Sequence, residues 1–122
     1  MKRHIIVSQL LVLGIAAVIF SSCNTCKSTY RRQLSDNEKL KEANESYEKA
    51  IKWLDKAECS AIPHEAAKNY TTAESYISDT IYKLKTIGHD ENIDVTEDIY
   101  YCDKIKSESD VKIGQANKKA QH

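Results

Sequence analysis

Apolar residues recur three and four apart in three stretches of this chain, and each stretch is bounded by residues that start or stop helices. In the first, Ser35-Asp36-Asn37-Glu38 has the spacing of a capping box, in which Ser35 accepts from a free backbone N–H and Glu38 reaches back to cap another. Leu40, Ala43, Tyr47, Ala50, Leu54 and Ala57 follow, with Ile51 widening the stripe. This predicts a helix over 36–58 with one buried face, and the alternation of threes and fours favours near-antiparallel packing.

The break falls at Cys59-Ser60-Ala61-Ile62-Pro63. Proline pushes the preceding residue out of helical geometry but is welcome in a first turn, so a second helix is predicted over 63–87. Ala66, Tyr70, Ala73, Ile77, Ile81, Leu84 and Ile87 line one side of it, and Gly88 is placed to stop it in a left-handed conformation. After a polar loop, Asp94-Val95-Thr96-Glu97 repeats the capping logic and opens a third helix over 95–119. Its apolar positions, Val95, Ile99, Cys102, Ile105, Val111, Ile113 and Ala116, are sparser, and Ser109 sits where a core residue belongs, so this helix is expected to fray first. Short loops imply antiparallel neighbours. The fold class expected is all-α: an up-down-up three-helix bundle, or an antiparallel helical hairpin with a looser third arm.

The chain opens differently. Lys2, Arg3 and His4 precede a largely apolar run from Ile5 to Phe20, which ends in Ser21, Ser22 and Cys23. Cationic start, apolar middle and small-residue end are the three parts of an export signal. A membrane-spanning helix is the alternative, but Ser8, Gln9 and Gly14 interrupt the run and a span ordinarily needs about 20 apolar residues. Residues 1–22 are therefore expected to be a signal peptide. Residues 23–34, polar and without apolar periodicity, are expected to be a flexible tether, and 35–122 the helical domain.

Phe20-Ser21-Ser22-Cys23 resembles a bacterial lipobox, with Phe20 where the family most often has Leu. The resemblance implies diacylglycerol on the Cys23 thiol, cleavage before it, and no other cofactor. Two or three acyl chains exceed what stable anchoring needs. Cleavage elsewhere, with Cys23 an ordinary thiol, is the plainer alternative. Asn24, rather than Asp, follows the cysteine, which favours the periplasmic face of an outer membrane over the inner one. The run from Lys56 to Ala66, with Ala61-Ile62-Pro63-His64-Glu65 at its centre, resembles an uncharacterised family of envelope lipoproteins. That family pairs an Ala-rich helix, a Pro-Glu turn and a second helix, often beside OmpA-like peptidoglycan-binding domains. The resemblance implies envelope maintenance as a role.

Charge adds exclusions. Eighteen Lys and Arg balance 18 Asp and Glu. Removing Lys2 and Arg3 with the signal leaves 16 against 18 and no basic stripe, so nucleic acid is not the expected partner. For metals, His4 leaves with the signal, His122 is terminal, and His64 and His89 fall at opposite ends of the second helix. Glu65, Glu74, Glu91 and Asp94 are carboxylates at helix starts or exposed faces, and no phosphate loop or nucleophile elbow is present, so no enzyme is expected. With Cys23 lipidated, Cys26, Cys59 and Cys102 remain: Cys59 and Cys102 should be too far apart to join, Cys26 could reach Cys102 or another molecule, and Cys102 also suits a small core position.

Tyrosine is the suggestive excess. Tyr47 and Tyr70 fall within the stripes and should be core, whereas Tyr76, Tyr82, Tyr100 and Tyr101 fall beside or off them and are the candidate partner contacts. Three functional readings follow. The first is a lipid-anchored, non-enzymatic module docking an envelope protein or cell-wall element. The others are a ligand-binding lipoprotein holding an apolar molecule or peptidoglycan fragment, and a coiled-coil spacer.

Overall fold

A computed structural model describes residues 26–121, and over these it is an all-α three-helix bundle. A 3-10 turn, Glu38–Leu40, leads into α1, Lys41–Cys59. Helix α2 is Pro63–Asp90 and α3 is Thr96–Ala120. The signal segment and Cys23 lie outside the described residues. Among those described, no helix is long and apolar enough to cross a membrane.

Helix α2 packs along both α1 and α3, which meet each other far less. The core comes from the expected stripes: Ala43, Tyr47, Ala50, Ile51, Leu54 and Ala57 of α1 against Ala66, Tyr70, Ala73, Ile77 and Leu84 of α2. In α3 the stripe is partly polar. Asp98, Cys102, Ile105 and Ser109 are buried three and four apart, while Val111 is exposed and Ile99 and Ile113 are half-buried. Thr80 likewise displaces Ile81 from the α2 stripe, and its hydroxyl donates to the Tyr76 carbonyl at 2.7 Å.

The helix ends correct the expectations in detail. The cap of the first turn is Asn37, whose Oδ1 accepts from the Lys39 N–H at 3.0 Å. Ser35 is instead drawn away: its N–H donates to Asp98 Oδ1 at 3.2 Å. Pro63 opens α2 as expected, with Ile62 extended before it. Helix α2 runs three residues past 87, because Gly88 keeps helical geometry and the left-handed position falls on Asn92, φ 52°. Asn tolerates that conformation through local hydrogen bonding. Gly88 serves closeness: a Cβ there would stand 2.7 Å from Val95 Cγ2 and 3.2 Å from the Ile93 carbonyl oxygen. At the start of α3, Asp94 Oδ1 accepts from the Thr96 N–H at 3.1 Å.

Candidate functional site

Residues 26–34 form no helix, yet over 28–34 they are laid along the bundle, where a flexible tether was expected. This strap bridges α1 and α3, bonding to Asn44 and Asp55 of the first and to Tyr101 of the second. Leu34, 4% exposed, is its apolar foot in the core. The backbone supplies the rest: the Leu34 N–H donates to Asn44 Oδ1, the Arg31 N–H to the Tyr101 hydroxyl, and the Ser28 N–H to Asp55 Oδ1, at 2.7, 2.8 and 2.7 Å. Polarity misled the sequence reading here, because the partners that satisfy this backbone sit up to 70 residues away.

Arg31 is the hub. Its guanidinium donates to Asp98 Oδ1 at 2.6 Å and lies over the Tyr101 ring, 4.4 Å from the centroid. Its carbonyl accepts from the Tyr47 hydroxyl at 2.6 Å. Asp98 is only 1% exposed, so this ion pair is what makes a carboxylate tolerable inside the bundle. Next along, the Tyr30 hydroxyl donates to Glu108, and its ring meets Tyr101 edge to face. Burial raises the Tyr30 and Tyr47 hydroxyls well above the ordinary phenol value, so both stay protonated donors. Arg32 closes the strap on α1 with two bonds to Asp55. Burial pushes the Asp55 carboxyl up, but Arg32 and the Ser28 N–H outweigh it and hold it below the usual range.

Two further polar groups lie toward the α1–α2 turn. Glu58 of α1 pairs with Lys112 of α3, whose ammonium also faces the Tyr70 ring. They border a cleft of about 280 Å³ with Ala57, Ala66 and Lys119. Between α2 and α3, Glu74 meets Asp110 across a shared hydrogen bond. Burial, then that hydrogen bond and the adjacent Asp110 charge, push the Glu74 carboxyl up to about 7. Among the described residues, no three His, Cys, Asp or Glu side chains come together so as to hold a metal ion.

The four candidate tyrosines separate into two kinds. Tyr82 and Tyr100 are 70% and 72% exposed, as a contact residue must be. Tyr76 and Tyr101 are half-buried against the core; Lys49 approaches the first ring, and Arg31 covers the second. Tyr47 and Tyr70 are core. Cys102 is fully buried, and burial beside Asp98 pushes its thiol up to about 12. Cys26 is half-buried on the strap and Cys59 exposed at the end of α1. Of the carboxylates considered from sequence, only Glu74 sits in an unusual environment; Asp94 is a turn acceptor and Glu91 pairs with Lys39 on the surface. Sequence reasoning missed Arg31 and Asp98. The available signal was Asp98 itself, a charged residue at a stripe position between Val95 and Cys102, which demands a buried cation. No family model, curated protein or solved structure matches this chain.

Proposed function

We propose that this chain is a lipid-anchored, non-enzymatic module of a bacterial envelope, fixed through Cys23 and presenting a helical surface to a protein or cell-wall partner. The reading rests on the opening pattern, a cationic start, an apolar run and Phe20-Ser21-Ser22-Cys23. Asn24 after that cysteine supports the periplasmic face of an outer membrane.

The strap gives this proposal a geometry. Strap residue 34 bonds to residue 44 and strap residue 28 to residue 55, so the strap runs antiparallel to α1 and its beginning lies at the α1–α2 turn. Residue 26 is three positions from Cys23, a reach of about 10 Å. An acylated Cys23 would then hold that end of the bundle against the lipid. The same end carries Ile62, 55% exposed, and the basic last turns of α1 and α3 with Lys56, Lys118 and Lys119. Apolar and cationic side chains together suit an anionic headgroup layer. The opposite half carries exposed Tyr82 and Tyr100, which are the partner contacts to test, because Tyr101 is committed to the strap.

Intact mass and fractionation of the native protein test the anchor. A diacylated or triacylated mass in the membrane fraction, lost in Cys23→Ser, is the expected result. An uncleaved chain, or a cleaved chain without lipid, overturns the proposal.

A further inference from the structure

We propose that the cleft at the α1–α2 turn seats one lipid headgroup, a phosphodiester carrying a primary amine, as phosphoethanolamine does. The cleft is about 280 Å³, and all three helices line it. Each gives it one buried alanine: Ala57 of α1, Ala66 of α2 and Ala116 of α3. Methyl groups stand where longer side chains would fill the space, so a small ligand has room beside them. Pockets for drug-sized molecules begin at about 300 Å³, so a headgroup enters and its acyl chains stay outside.

The polar lining sets the chemistry. Glu58 Oε1 accepts from the Lys112 ammonium, and Tyr70, only 6% exposed, hydrogen-bonds to both. Burial pulls the Lys112 ammonium down, but its bond to Glu58 and the neighbouring Tyr70 outweigh this and keep it charged. An ammonium has three donors and a carboxylate accepts about four bonds, so this pairing leaves capacity on each side. Lys119 also lines the cleft, and among the described residues it forms no ion pair. Lys112, Ala116 and Lys119 recur four and three apart, so both lysines rise from one face of α3, their backbones about 10 Å apart.

Two ammoniums therefore face one carboxylate. A simple anion meets Glu58, and a simple cation meets two lysines. A group that carries both charges on a short spacer satisfies the set: its phosphate accepts from Lys119 and Lys112, and its amine donates to Glu58. That a lipid supplies this group rests on the end-on anchor proposed above, which sets the α1–α2 turn against the membrane. Ile62, 55% exposed on the same turn, offers the acyl chains an apolar contact.

Alanine methyl groups report on the cleft directly. The full chain, labelled at these methyls in a non-ionic detergent, would be titrated with soluble glycerophosphoethanolamine and followed by NMR. Saturable shifts of Ala57, Ala66 and Ala116 are expected, with Ala43, near the other end of α1, unmoved. Binding should weaken about tenfold in Lys119→Gln, an exposed position where folding is not at risk, and about tenfold when glycerophosphoglycerol replaces the amine. Glu58→Gln should abolish that preference for the amine. No shift at the three methyls, an undiminished response in Lys119→Gln, or equal binding of the two diesters by the wild type would overturn the assignment. For the lipid source, the acylated protein in nanodiscs should show the same shifts when phosphatidylethanolamine is added to phosphatidylglycerol; a response to the soluble diester alone would overturn it. An unacylated Cys23 overturns the anchor and with it the lipid source, whereas the soluble titration decides the cleft in either case.

Discussion

Arg31 shows how one side chain can decide whether a neighbour is affordable. Asp98 is buried, and its oxygen is shared by the Arg31 guanidinium and the Ser35 N–H. Arg31→Ala removes the cation and leaves a buried charge, which costs about 3 kcal/mol or more. The loss should be read in denaturant midpoints, and Asp98→Asn combined with Arg31→Ala should recover part of it. Full additivity of the two changes would contradict the pairing. The two glycines of the helical domain make a second contrast. Gly88→Ala drives a methyl into Val95 and the Ile93 carbonyl, and should destabilise by about 1–3 kcal/mol. Gly114→Ala meets nothing within 4 Å inside a helix and should stabilise by about 0.5–1 kcal/mol. Melting temperatures of the two variants should therefore move in opposite directions.

At the scale of elements, the interface between α2 and α3 is pH-sensitive through Glu74 and Asp110. The Glu74 carboxyl is raised from its ordinary 4.5 to about 7, so the folded chain holds this proton more tightly than the unfolded one. The stabilisation is complete below about pH 4.5 and is lost as pH rises through about 7, on the order of 1–2 kcal/mol after solvent screening. Asp55 and Asp79 are held below their ordinary 3.8, so their contribution is present above that value and lost as pH falls further. Stability should peak in mildly acidic solution, and Glu74→Gln should flatten the fall between pH 5 and 7 in a denaturation series, pH values set by the same shift. A fall of unchanged slope would show that Glu74 is not its source.

The three helices were legible because α1 and α2 carry uninterrupted apolar stripes and Pro63 marks the break. Asp98 and Ser109 occupy buried stripe positions in α3, which made Val111 look like core when it is exposed. The strap was not legible, because periodicity detects helices and strands, whereas residues 28–34 are held by backbone bonds to Asn44, Asp55 and Tyr101. Its order is testable: the Ser28, Arg31 and Leu34 amides should exchange hydrogen slowly, as donors in closed hydrogen bonds. Exchange at the rate of an unstructured peptide would restore the flexible tether.

For the molecule as a whole, the strap would set the geometry of the proposed Cys23 anchor. A long loose tether would let the bundle tumble over the surface, whereas a strap bound from residue 28 onward leaves only a few residues between Cys23 and the folded domain. Under the proposed Cys23 anchor, the α1–α2 turn and the end of α3 would face the lipid, and the loop between α2 and α3 would point away. With α2 about 42 Å long over its 28 residues, the two ends would differ greatly in their distance from an anchoring membrane. Brominated lipid quenches tryptophan only at close range, and Trp53 is the chain's one tryptophan. The deciding measurement places a single tryptophan at either end of the native lipidated protein in such vesicles, as Ile62→Trp or His89→Trp in a Trp53→Phe background. Strong quenching at position 62 with little at position 89 is the predicted result; equal quenching at both, or the reverse order, would contradict an end-on, strap-oriented anchor.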